Sequence, residues 1–321
     1  MKSFSNYLLK LSRGALEKPT GEFKDWALNE AKSIIPFDSC VWGSGSWIEE
    51  QPRIHAVHLH NLEGEFISSW LQYQHEDKLA RNVHLNIDHT FNVNVAAEYS
   101  GTSIYEFHCK RFAMAHIVAT ATIDADTLLL NTMSLYRSSP DAPFSEDERA
   151  LKEVLFPHLV EAVRTNWLTN LPHLLSPNQR STFNSIAACD TVGVLQVAMP
   201  SFVETCRIEW PGWKGPTLPE NVRQSMRSGT LKFVGKNIVV SMCNLDDLLL
   251  LRARPKIAAD ELSPRELEVA QRFAAGVDYK TIAQELSISP STIKVHLNKI
   301  YNKLDINGKA SLVTELRRMT H

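Results

Sequence analysis

The sequence predicts a multidomain α+β protein: an N-terminal α/β sandwich, a small α+β unit in the middle, and an all-α unit of four helices towards the C-terminus. Three observations predict it. The 321 residues suffice for two or three domains at roughly 100–150 residues each. Two connector-like stretches, LPHLLSPNQR from Leu171 and RPKIAADE from Arg254, divide the chain. Strand-like alternation, frequent before the second connector, gives way after Leu262 to helical spacing alone. The predicted units span 1–173, 176–255 and 260–321.

In the first unit, helical periodicity covers 3–11 and 22–35, and strands are expected at 39–48 and 53–59. Mixed helix follows over 65–85, another helix over 103–112, then strands at 116–123 and 127–136 separated by the turn DAD. A long helix starts at Ser145, where Ser145 and Glu148 have capping-box spacing. Leu151, Val154, Leu155, Leu159, Val163 and Trp167 give it one apolar face, and Pro157 should bend it. This order, with the stretch HIVATATIDADTLLLNTMSLYRSSPDAPFSEDERALKEVLFPHL, resembles a GAF-like or autoinducer-binding-like sensor domain. The resemblance implies an antiparallel sheet carrying helices, with a ligand cavity between them.

The second unit shows strand-like VGVLQVAM, LKFVG, KNIVVSM and DLLLLRAR with a helix near 220–226, and resembles a PAS-like unit. No internal repeat stands out.

The third unit is the most informative. In LSPRELEVAQRFAAG, Ser263 is placed to cap a helix, Pro264 takes its first position, Glu266 completes the box, and Gly276 stops it. A short helix, KTIAQELSI, turns at 287–289 into a third helix capped by Ser289, and NGKASLVTELRR forms a fourth. Two helices joined by so tight a turn form a helix-turn-helix. Between Leu286 and Leu304 there is no acid, although three lysines and a histidine occur. From Leu262 onward nine Lys/Arg face six Asp/Glu, whereas the preceding residues hold twenty-five against thirty; the split suggests a polyanion-binding module on an acidic body. On a helical wheel Ile293, Leu297, Ile300 and Leu304 share one stripe. Ser291, Val295, Asn298 and Asn302 lie opposite, flanked by Lys294 and Lys299. Such a face suits the major groove, where lysine donates to guanine, asparagine pairs with adenine and valine touches a thymine methyl.

LSPRELEV, Gly276, YKTIAQELSIS, TIKVHLNKIYNKL and NGKASLV together closely resemble the LuxR/FixJ-type (GerE-like) DNA-binding domain over about sixty residues. Tyr279 stands where asparagine is common, and Gly308 where arginine often is. The resemblance implies a bacterial transcriptional regulator. It places Lys294, Val295 and Asn298 in the groove, with Lys299 on a base or phosphate and Lys280, Ser291 and Thr292 on the DNA backbone. His296, between the two faces, is expected to be structural. Implied partners are promoter DNA, a second copy of the chain, a small-molecule effector and RNA polymerase. Dimerisation is expected through the last helix (Ala310, Leu312, Val313, Leu316) or the long helix from Ser145. The alternative keeps DNA binding and makes the N-terminal unit a ligand-free dimerisation or protein-docking module.

Other classes find little support. No G-x-x-x-x-G-K-[ST], G-x-S-x-G or H-E-x-x-H occurs, so no enzyme activity, cofactor or metal is expected. GSGSW, from Gly43, reads as a sheet feature. The alternating βα rhythm of a phosphoacceptor domain is missing. Five scattered cysteines suit a reduced compartment and buried thiols. The longest notable apolar run is Leu248 to Leu251, and Lys10 and Arg13 interrupt the first apolar stretch, so a cytoplasmic protein without membrane contact is expected. Eight of twelve histidines lie between His55 and His116, with His58 and His60 on one strand face; no acid or cysteine completes a recognisable ligand set, so solvent-facing or hydrogen-bonded histidines are expected. Trp42, Trp47, Trp70 and Tyr73 could line a cavity. WLQYQHED, with Trp70, Tyr73 and Asp77, loosely resembles the acyl-homoserine-lactone pocket pattern. Its Trp–Tyr spacing is shorter, however, and Lys78 replaces the usual proline, so that ligand is not inferred.

Overall fold

A computed structural model describes residues 2–48, 51–170, 185–245 and 248–320. It contains two antiparallel sheets and a C-terminal group of helices. The first sheet comprises β1 (Ser39–Ile48), β2 (Gln51–His60), β3 (Thr90–Asn94), β4 (His116–Ile123) and β5 (Leu130–Arg137), in the order β2-β1-β5-β4-β3. The second comprises β6 (Ile186–Cys189), β7 (Leu195–Ala198), β8 (Lys232–Val234), β9 (Ile238–Leu245) and β10 (Leu248–Pro255), in the order β7-β6-β10-β9-β8. Both sheets therefore run second-first-fifth-fourth-third. Each starts with a hairpin and a helical excursion and ends with three antiparallel strands, a plain meander in the second sheet and one interrupted by helices between β3 and β4 in the first. The chain repeats a topology without repeating a sequence.

The first sheet is covered on both faces. Side chains alternate along β1, so Cys40 and Trp42 meet α1 (Lys2–Glu17), α2 (Thr20–Ala31) and α6 (Glu146–Asn170). On the opposite face Ile117, Ala119, Leu130 and Tyr136 meet α3 (Glu65–Tyr73), α4 (Lys78–Leu85), α5 (Val95–Tyr99) and a π-helical turn, Tyr105–Cys109. Ser145 and Glu148 form the expected reciprocal cap of α6. Its buried face departs from expectation: Val154 is 55% exposed, while Lys152 and Asn166 are buried. Lys152 turns inward because Thr120 and the Met133 carbonyl accept from its ammonium. At its far end α6 reaches the second sheet, where Trp167 and Leu168 pack on Ile186, Ala188, Val197 and Leu250. The other face of that sheet is covered by α7 (Pro200–Glu209) and α8 (Glu220–Arg227).

Several short elements escape the sequence pattern: β3, β6 and α7. The turn between β4 and β5 is also longer than DAD, because Asp124 Oδ1 accepts from the amides of Asp126 and Thr127 and from the Thr127 hydroxyl, holding these residues out of the strand. Residues 171–180 of the first connector lie outside the described residues. The second connector is no free linker. Ala258–Glu261 form a 3-10 turn with Ala259 buried, and the fully buried Asp260 carboxylate binds Arg254 at 2.6 and 2.7 Å. Asp260 thereby ties the second sheet to the C-terminal helices.

Those helices are α9 (Pro264–Ala274), α10 (Tyr279–Glu285), α11 (Pro290–Leu304) and α12 (Lys309–Thr320). Ile282, Ile293, Leu297, Ile300, Leu304 and Leu312 form much of their common core. Among the described residues, no helix is long and apolar enough to cross a membrane.

Candidate nucleic-acid interface and ligand cavity

Local chemistry positions α11. Asp278 caps α10 by accepting from the Lys280 and Thr281 amides, and Ser289 caps α11 by accepting from the Thr292 amide. Between them Ser287 adopts φ 53°, and the Ile288 amide donates back to the Ala283 carbonyl at 3.0 Å. This left-handed closure turns the chain sharply enough to lay α11 across α9 and α10.

The predicted stripe Ile293, Leu297, Ile300 and Leu304 is buried. Ser291, Lys294, Val295, Asn298, Lys299 and Asn302 are exposed, as is Lys280 on α10, while Thr292 is half-buried at the helix start. Val295, at 52% exposure, is an apolar side chain presented to solvent. The Lys294 ammonium lies 5.0 Å from the centre of the Tyr279 ring, which gives the unusual tyrosine a role: a cation–π contact aims the lysine. Lys303, by contrast, is engaged. Its ammonium binds Glu266 at 2.7 Å and, with the Ser263 amide, holds that carboxyl down at about 2. Sequence alone could not separate Lys303 from its neighbours, because its partner lies on another helix. His296 is half-buried. On α12, Leu312 belongs wholly to the core, Val313 and Leu316 are half-buried and Ala310 is exposed.

A second feature lies beneath the first sheet. A cavity of about 140 Å³ is lined by apolar groups including Phe66, Leu79, Val83, Ile104, Met114 and Ile117, and Trp70, Asp77, Tyr99 and His108 are among its polar members. The Trp70 indole and Tyr99 hydroxyl donate to Asp77 at 2.7 and 2.8 Å, and Asp77 also caps α4. Burial, then the Asp77 charge, pushes the Tyr99 phenol far upward. Burial lowers His108 to about 4, so its ring is neutral at pH 7. The His108 Nδ1 meets the Ser69 hydroxyl, and its Nε2 has no hydrogen-bond partner among the described residues.

The structure does not bring the four expected ligand residues together. Trp70 and Asp77 line the cavity. Trp42 lies on the other face of the sheet, edge-on to Phe156 and under the Lys24 ammonium. Tyr73 stacks on Phe107 outside the cavity lining, and the Trp47 side chain lies outside the described residues. Alternation along β1 separates Trp42 from the cavity, a consequence legible only once the cavity face is known. Tyr99 and His108 are the members that the sequence did not signal.

Comparison with known proteins places the C-terminal helices. The family model GerE, described as "Bacterial regulatory proteins, luxR family", matches residues 260–316. The probable transcriptional regulatory protein NarL of Mycobacterium tuberculosis is 41% identical over 68 residues, which are 21% of this chain and 32% of that protein. The transcriptional regulatory protein UhpA of Escherichia coli K12 is 31% identical over 117 residues, 32% of this chain and 56% of that protein. The chain thus spans only about a third of the NarL length and about half of the UhpA length. Among solved structures, the N-acylhomoserine-lactone-dependent LuxR-family factor CepR2 of Burkholderia cenocepacia aligns at TM-score 0.40 and 17% identity, covering 50% of this chain and 93% of that one. Escherichia coli SdiA aligns at TM-score 0.39 and 14% identity over 97% and 96%. Residues 260–316, with their capped helices, tight turn and acid-free third helix, form a helix-turn-helix domain of the luxR family of bacterial regulatory proteins.

Proposed function

We propose that the chain, divided into units at 1–173, 176–255 and 260–321, is a transcriptional regulator that binds promoter DNA as a homodimer. In this reading α11 enters the major groove with Lys294, Val295 and Asn298 towards base edges and Lys299 on a base or phosphate. Lys280, Ser291 and Thr292 hold the phosphate backbone. One observation carries it: the face of α11 opposite the buried Ile293–Leu304 stripe is exposed and free of acids. A carboxylate there would meet phosphate charge, whereas lysine, asparagine and valine meet what the groove offers. Relatives described as transcriptional regulatory proteins match this same region, which supports the reading. RNA polymerase is the partner such a regulator acts on, and catalysis has no part in it.

The N-terminal cavity is assigned to a small, largely apolar organic effector, with His108 Nε2, unpartnered among the described residues, as its polar anchor. Control then follows from the effector's different affinity for DNA-competent and incompetent arrangements. A ligand-free docking module is the second reading, favoured because Trp70, Asp77 and Tyr99 already satisfy one another.

The test is selection from a random duplex pool with the full chain. The reading predicts an enriched sequence with two half-sites about one helical turn, roughly 10 base pairs, apart. A pool that stays random after repeated rounds overturns it.

A further inference from the structure

The histidine-rich segment expected to supply no metal site acquires its missing acid from another element. His58 and His60 project from one face of β2, opposite Trp42 and Cys40 of β1. Helix α2 crosses that face and brings Asp25 to both rings. Asp25 Oδ1 lies 3.1 Å from His58 Nε2 and 2.7 Å from His60 Nδ1. The donor atoms of the three side chains all fall within 4.8 Å of one another.

We infer that Asp25, His58 and His60 form a binding site for a divalent transition-metal ion of the zinc class, with water completing the coordination. A tetrahedral ion with ligands at about 2.0–2.1 Å separates neighbouring donors by roughly 3.3 Å. The His58 distance, 3.1 Å, is about 0.2 Å below that value and the His60 distance, 2.7 Å, about 0.6 Å below it, so an ion would open the His60 contact on entering. Two imidazoles and one carboxylate suit zinc and its neighbours, and not magnesium or calcium, which require oxygen shells.

Burial supports the assignment. The His60 side chain is 5% exposed, and Nδ1 is the ring nitrogen aimed at Asp25. Asp25, at 52% exposure, leaves the site accessible from solvent. A bound ion would clamp α2 to an outer strand of the sheet, and Ile54 and Val57 of that strand line the effector cavity. The site nevertheless stands independently of DNA binding.

The test uses the full chain stripped with chelator and titrated with zinc chloride by calorimetry, with magnesium chloride as control. One tight zinc per chain is expected, no magnesium binding, and a Tm that rises with zinc. Asp25→Ala changes a solvent-facing carboxylate, and His58→Gln a partly exposed ring. Each should weaken the tight site by more than about tenfold, since even losses of supporting hydrogen bonds around a metal reach that size. Melting curves without metal check that both variants fold. Absence of saturable zinc binding overturns the inference, as does tight binding that both folded variants retain.

Discussion

Lys152 is a charged residue among apolar neighbours, with the Phe156 ring 5.4 Å from its ammonium. Burial lowers its pKa to about 7. The sign of the linkage follows: between about 7 and the unfolded value near 10.4 the unfolded chain holds the extra proton, so raising the pH over this window favours the folded state. Lys152→Met should therefore be more stable than the wild type at pH 7, with an advantage that shrinks as the pH rises towards 10. Paired denaturation curves at pH 7 and 9 check this, and an advantage that does not shrink would contradict it. The exposed residues of the helix-turn-helix separate in the same manner. Asn298→Ala should cost about 1–3 kcal/mol against the selected sequence and relax its preference, whereas Lys280→Ala should weaken all duplexes alike and reduce the salt slope by about one. Binding isotherms at several salt concentrations distinguish the two.

At the scale of elements, helix ends explain what the sequence could disclose. Gly276 (φ 100°), Ser287 (φ 53°) and Asp305 (φ 51°) each follow a helix in the left-handed region, and Val277, Ile288 and Ile306 each donate back to the last turn. Caps and stops of this kind act within a few residues, so the four C-terminal helices were legible almost to their boundaries. Ser287 is the costly member, since its side chain disfavours that conformation. Ser287→Gly should raise stability by about 0.5–1 kcal/mol, read from thermal denaturation; a loss would show that the serine side chain contributes more than its backbone strain. Elements fixed by distant partners were not legible. β6 is the four-residue strand Ile186–Cys189, buried throughout, so it offers no alternation to read. Val154 looked like core because its spacing fits, yet the face of α6 is set by where Thr120 accepts from Lys152. Trp42 and Trp70 are both aromatic and both half of a plausible pocket, but parity along β1 turns Trp42 to the sheet face opposite the one that α3 and Trp70 cover. Asp25 lies 33 residues before His58, too far for any spacing rule to connect them.

Across the whole molecule, two sheets of one topology share α6, and the second is fastened to the C-terminal helices through Asp260. Lys232 of β8 and Arg254 of β10 both reach that carboxylate, which also accepts from the Ile257 amide. If the proposed effector shifts the sheets, Asp260 connects that shift directly to α9. Asp260→Ala leaves Arg254 largely buried without its partner and should cost about 3 kcal/mol. Chemical denaturation should then resolve the C-terminal helices as a separate earlier transition, and a single unshifted transition would count against the connection. The central claim, that the acid-free face of α11 lies against DNA, has a more direct test. Val295→Glu places one carboxylate on that face at a solvent-exposed position, so folding should be untouched. The account predicts an unchanged Tm and an affinity for the selected duplex at least tenfold weaker, a loss of about 1.4 kcal/mol or more; a folded Val295→Glu protein that binds this duplex as tightly as the wild type would contradict it.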